Sequence, residues 1–177
     1  EPARLVLVDR PGAPQTVVQI LRPLALAEGP ERAARAAVDT VFGGTFTSRL
    51  NANLREAKGY TYGARSRLTQ EGRQGLLSAG AAVSTPVTGP ALLEFQREFE
   101  RLATEGITAA ELEKALETAR ARLVETAETT AGLTRALAEL VRQERPLDAL
   151  AQDFAALERV DLAAANAQAQ SGLYAWQ

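Results

Sequence analysis

The sequence predicts an α+β domain: an antiparallel sheet with helices gathered on one face. Three observations lead there. Short runs rich in β-branched residues and leucine, bounded by Pro and Gly, fill the chain up to residue 85. After Pro86 the apolar period changes to 3.6 and keeps that value to the end. No repeat, low-complexity stretch or linker divides the 177 residues. A chain of this length suits one domain, with roughly 70% of the unfolded surface buried.

The elements follow in order. Arg4–Asp9 reads RLVLVD and closes at the turn signal Pro11-Gly12, and Thr16–Leu21 reads TVVQIL and closes at Pro23. Their short connection predicts an antiparallel pair. A helix opens at Glu31 with Pro30 in its first turn and stops at Gly43-Gly44. Its core face is Ala34, Ala37, Val38, Val41 and Phe42. A short helix over Ser48–Ala57 carries Leu50 and Leu54 at i, i+4, with Ser48 as N-cap and Gly59 as its stop. Tyr60–Leu68 and Gln74–Val83 read as strands around a turn at Glu71-Gly72-Arg73, for four strands before residue 85. The small residues of QGLLSAGAAV permit close approach of a neighbouring backbone.

The rest is helical. Leu92, Phe95, Phe99 and Leu102 form one face of a helix that ends at Gly106. Thr108 and Glu111 make a capping box for the next helix, which turns Leu112, Leu116, Ala119 and Leu123 inward. Two helices follow around Leu133–Glu144 and Leu147–Arg159, broken at Pro146, and an alanine-rich tail runs helical from Asp161 to Gly172.

Composition excludes several chemistries. The chain has no His and no Cys, so a Ser-His-Asp or Cys-His nucleophile, a disulfide and an ordinary zinc site are all beyond it. Twenty basic against twenty-two acidic residues, a net charge of −2, predict neither a nucleic-acid nor a membrane partner. No apolar run approaches the ~18 residues needed to cross a bilayer. The absence of Met, the initiator included, predicts a piece of a longer protein. Eighteen of the twenty basic residues are Arg, a bias that goes with a GC-rich bacterial genome. The compartment, cytoplasmic or periplasmic, stays open.

The densest cluster is FTSRLNANLREAKGYTYG, Phe46 to Gly63. Arg55 near a helix C-terminus and Tyr62 just inside the following strand can converge beyond the turn. There a guanidinium and a phenol would offer donors to a peptide carbonyl or a developing oxyanion. This segment resembles the part of the pitrilysin/insulinase (M16) metallopeptidases and mitochondrial processing peptidases that carries their Arg–Tyr pair, a pattern like LRE-x-x-G-x-x-Y. Arg55 and Tyr62 stand seven apart with Gly59 between. PGAPQ (Pro11 to Gln15), the helix ending in Gly43-Gly44, the small-residue strand and EGITAAELEKA (Glu105 to Ala115) keep the family's order over roughly residues 4 to 174.

The resemblance implies an M16 half-domain of the processing-peptidase-like metallohydrolase type, residues 1–177 being one C-terminal, inactive domain of a longer chain. The family's other half carries an HxxEH zinc motif, which this His-free chain lacks. By resemblance, Tyr62 hydrogen-bonds near the scissile carbonyl and Arg55 holds a substrate backbone carbonyl. The implied partners are an HxxEH-bearing M16 catalytic domain or subunit, which holds the zinc, and a peptide or unfolded polypeptide substrate. No cofactor is expected in this chain. Tyr60, at period two from Tyr62, competes for its role. The alternative is a catalytically dead scaffold or assembly subunit of the same fold. The family's terminal strand is not visible after Trp176-Gln177, which leads to the expectation that the fragment self-associates through a sheet edge or the inter-half surface. Blander readings cover the rest: Gly43-Gly44 as a plain turn rather than an anion site, Glu111, Glu113 and Glu117 as a solvated helix face, Arg49 and Lys58 as surface charges or partner contacts.

Overall fold

The computed structural model describes residues 10–25, 27–71 and 74–176. The expected strand Arg4–Asp9, its pairing with the next strand, and the turn tip Gly72-Arg73 lie outside the described residues. Three strands are described: β1 (Gln15–Leu24), β2 (Thr61–Glu71) and β3 (Gln74–Ser84). They form one antiparallel sheet in the order β1-β3-β2, so the small-residue strand is central. Gly80 shows why small residues are needed there. A Cβ at this position would stand 2.4 Å from the Val18 carbonyl oxygen of β1.

Alternation separates the two faces of the sheet. Val18, Ala64, Leu77, Ala79, Ala81 and Val83 are buried against the helices. On the other face Val17 and Leu21 are 73% and 58% exposed, and Gln19, Arg65 and Arg67 are exposed beside them. Helices therefore pack on one face, as the sequence predicts.

The helix α1 (Gly29–Asp39) buries Ala34, Ala37 and Val38 and runs on into a π-helical turn, Thr40–Gly44, that buries Val41 and Phe42. The glycines do not make a plain turn. Gly43 lies against β2 so closely that a Cβ would meet the Ser66 backbone nitrogen at 2.3 Å. The next helix, α2 (Thr88–Glu105), turns Ala91, Phe95, Phe99 and Leu102 inward and leaves Leu92 40% exposed. Phe95, Phe99 and Leu102 form the expected stripe, and only its first position differs, with the small Ala91 facing the core in place of Leu92.

The capping box at the start of α3 (Ala109–Glu128) is present in both directions. The remaining helices, α4 (Thr130–Arg142), α5 (Ala149–Leu157) and α6 (Leu162–Ala169), complete the chain. Asn166 on α6 accepts from the Ile107 N–H at 2.7 Å and donates to the Ile107 carbonyl at 3.2 Å, locking α6 to the α2–α3 connection. Past α6 the tail turns inward, where Tyr174 is fully buried with its ring centroid 5.2 Å from Phe42, itself 4.7 Å from Phe99. Arg22 of β1 donates to the carbonyls of Gly172 (2.6 Å), Leu173 (3.0 Å) and Ala175. The tail thus packs into the aromatic core and is tied to β1 through Arg22. The outer side of β1 has no strand neighbour among the described residues.

Candidate functional site

Leu50 and Leu54, both fully buried, anchor the segment expected as a short helix. Its main part, Asn51–Ala57, is wound as a π-helix. Ser48 does not cap it; its hydroxyl, 3.4 Å from Asn51 Nδ2, accepts from that side chain instead. Gly59 sits at φ 65°, the left-handed conformation that lets the Tyr60 N–H reach back to the Leu54 carbonyl at 2.9 Å.

β2 then starts with an irregularity. Thr61 opposes Val83 and Ala64 opposes Ala81, so three steps on β2 match two on β3. This is a β-bulge, which re-aims the side chains it contains. Tyr60 packs half-buried against the core, whereas Tyr62 is 93% exposed. The two tyrosines therefore differ in setting: Tyr60 precedes β2, so the period of two does not extend to it, and the bulge puts Tyr62 in solvent while Ala64, two residues on, is buried.

The bulge is held by bonds of its own. The Thr61 hydroxyl accepts from the Gly63 N–H (3.1 Å) and donates to the Ala82 carbonyl (2.7 Å). The Ala64 N–H donates to Asn51 Oδ1 at 2.9 Å, and Asn51 Nδ2 donates to the Thr45 carbonyl at 3.1 Å. Buried Asn51 thus fastens the π-wound helix to the strand that displays Tyr62.

The Arg55 guanidinium lies 4.0 Å above the ring of Phe46, and its Nη1 stands 3.3 Å from Glu56 Oε1. No hydrogen bond joins Arg55 to Tyr62 among the described residues. Phe46, which Arg55 covers, and Tyr62 both line one groove, while Arg55 itself is not among its lining residues. The groove, about 940 Å³, is also lined by Arg65, Arg67, Gly80 and Arg122. At its inner end the Asp39 carboxylate accepts from Ser66 Oγ at 2.5 Å. Burial pushes the Asp39 carboxyl up to about 6, against the lowering effect of the Ser66 bond.

Two charges differ from their expected roles. Arg49 is not a surface charge: its side chain is 9% exposed and donates twice to Glu111, at 2.7 Å each. That fork holds the Glu111 carboxyl down at about 2, so Glu111 belongs to a tertiary lock between α3 and the start of the π-wound segment. Lys58 pairs with Glu94 at 3.4 Å. No three Asp or Glu side chains converge to hold a metal among the described residues, and the sequence supplies no His or Cys.

Sequence reasoning missed Asn51, Phe46 and Asp39. The available signal for Asn51 was a polar residue three before Leu54 on an apolar stripe. Phe46 opens the segment singled out in the sequence, but nothing there marked it as the seat of Arg55, and nothing local marked Asp39, whose partner Ser66 lies 27 residues on.

Comparison with known proteins adds the family. A profile of the family described as the peptidase M16 inactive domain matches residues 1–119. The chain belongs to this family. Solved structures share the fold. An M16 inactive domain from Pseudomonas fluorescens superposes with a TM-score of 0.79 at 21% identity, over 90% of this chain and 38% of that one. A Helicobacter pylori protease gives 0.81 at 19%, over 92% of this chain and 39% of that one. The inactive peptidase domain of a Bordetella parapertussis protein classed with the zinc proteases gives 0.78 at 19%, over 94% and 90%. The chain thus spans under half the length of two of these structures and nearly all of the third. It matches no curated protein sequence. In this M16 inactive domain, Arg55, Tyr62, Asn51 and Phe46 all fall within the matched residues.

Proposed function

We propose that this M16 inactive domain is the substrate-binding half of a zinc metallopeptidase, closing over an extended peptide opposite an HxxEH-bearing half. The observation that carries the reading is the outward turn of Tyr62. A bulge, fixed by Asn51 and Thr61, holds a phenol in solvent at the rim of a groove, beside a Phe46–Arg55 platform.

Each residue has a task that its setting suits. The Tyr62 hydroxyl donates to the oxygen of the scissile carbonyl, where negative charge develops. Arg55, oriented by the Phe46 ring, donates to a backbone carbonyl of the peptide and holds the chain in place. Asn51 positions Tyr62 through the backbone without touching substrate. The partner's zinc supplies Lewis-acid chemistry when bound; this chain has no His or Cys to offer it.

The test is kinetic, in the peptidase assembled with its HxxEH half. Tyr62→Phe should lower kcat by about 10²-fold, the order expected for losing one oxyanion donor. Arg55→Ala should mainly raise KM. Tyr60→Phe should leave both nearly unchanged. Loss of activity in Tyr60→Phe with full activity in Tyr62→Phe would mean that the tyrosines exchange roles. Full activity in both, with KM unchanged in Arg55→Ala, would favour the scaffold alternative.

A further inference from the structure

The exposed face of the sheet carries a charge pattern that the proposed peptide-binding role does not require. Arg65 and Arg67 project from the same face of β2, two residues apart, and both are exposed. Neither guanidinium has a hydrogen-bond or ion-pair partner among the described residues, although most of the other arginines' do. Their cross-strand neighbours on β3 are Gly80 and Ser78, and beyond these on β1 stand Gln19 and Leu21. No carboxylate faces them across the sheet.

Arg122, reaching over from α3 to the Gly44 carbonyl at 3.1 Å, adds a third guanidinium to the groove. Asp39 is its single acidic lining residue, and it is 8% exposed and engaged by Ser66. Asp39 feels the charges of Arg122 and Arg67, yet three guanidiniums against one carboxylate leave the groove beside Tyr62 net positive in a chain of net charge −2. Opposite lies the apolar pair Val17 and Leu21 across a floor of small side chains. Arg forks match carboxylates, and a partly enclosed groove strengthens that attraction above its value in open water.

We propose that this face selects peptides by acidic side chains, with carboxylates toward Arg65 and Arg67 and apolar side chains toward Val17 and Leu21. The proposal rests on the peptide-binding reading above and names the substrate class for it. The carboxylate comes from Asp or Glu side chains; a peptide's C-terminal carboxylate has the same chemistry, and the experiment separates the two.

Fluorescence anisotropy tests it on the chain assembled with its HxxEH half, the motif's Glu changed to Gln so that peptides are held and not cut, with labelled extended peptides of one apolar frame carrying Glu, Gln or Lys at alternate positions, each with a free or an amidated C-terminus. The Glu peptide should bind about tenfold more tightly than the Gln peptide and the Lys peptide more weakly still, with a gap that narrows as salt is raised. In Arg65→Gln/Arg67→Gln the gap between Glu and Gln peptides should close. Both arginines are exposed and unpaired, so the variant should fold; circular dichroism and thermal melting check that. Equal binding of all three peptides would overturn the acidic selectivity and leave peptide binding standing. A gap that vanishes on amidation would assign the carboxylate to the C-terminus, and a gap that survives the double variant would clear these arginines of the role. No binding of any peptide would overturn the peptide-binding reading itself.

Discussion

Asp39 shows how a single residue shapes the site from below. It ends α1, lies 8% exposed against β2, and accepts from Ser66 Oγ at 2.5 Å. Its carboxyl is raised from 3.8 to about 6, with burial the main cause. The native state therefore holds this proton more tightly than the unfolded chain does. The contribution to stability is complete below about pH 4 and is lost as pH rises through about 6. Asp39→Asn keeps an acceptor for Ser66 and removes the buried charge. At about pH 8 the variant should be more stable than the wild type by on the order of 1–3 kcal/mol, and at about pH 3 the two should coincide. Chemical denaturation across pH checks this, and parallel profiles for the two proteins would contradict it. Glu111 titrates in the opposite sense. Its carboxyl is lowered from 4.5 to about 2, so its contribution is lost as pH falls through that range. At this scale Arg55 and Tyr62 were readable through their spacing and the intervening Gly59. The exposure of Tyr62 was not, since it depends on a bulge that Asn51 stabilises from thirteen residues away.

At the scale of elements, periodicity and turn chemistry located the described strands and helices, and the Thr108–Glu111 box marked the start of α3 correctly. Three features escaped for physical reasons. π-winding over Thr40–Gly44 and Asn51–Ala57 has no local sequence signal, being set by the fit of Gly43 on Ser66 and of Leu50 and Leu54 in the core. The bulge broke the alternation between Tyr62 and Ala64, and the strand begins only after Tyr60. The first position of the α2 core stripe went to Ala91 because packing, rather than side-chain size, decided which residue faced inward. The sheet order also bears on association. β1 has no described neighbour on its outer side, and its exposed face carries Val17 and Leu21, at 73% and 58% exposed. We propose that the chain self-associates weakly, through a sheet edge or through this exposed face, because strand edges and exposed apolar surface can be completed between molecules. In sedimentation velocity the weight-average coefficient should rise with concentration toward the millimolar range. A coefficient that falls only as hydrodynamic non-ideality requires, with one monomeric species throughout, would contradict it.

The whole molecule is two-sided. Helices and the inward-turned tail, with Tyr174 buried beside Phe42 and Phe99, close one face of the sheet into a core. The other face stays open, with Tyr62 and the Phe46–Arg55 platform at its rim and arginines along β2. A closed core on one side and a displayed, functionalised sheet on the other suit one half of an enclosing pair. The fold-level reading came from the order of elements and the Arg–Tyr spacing together, since neither alone separates this family from other α+β domains. The most direct measurement of the central claim is the peptide-cleavage rate of the HxxEH half as this chain is titrated into it. The account predicts that the rate rises and saturates at one chain per catalytic half, and that Tyr62→Phe saturates at the same ratio with a rate about 10²-fold lower. A catalytic half equally active with and without the chain would contradict it.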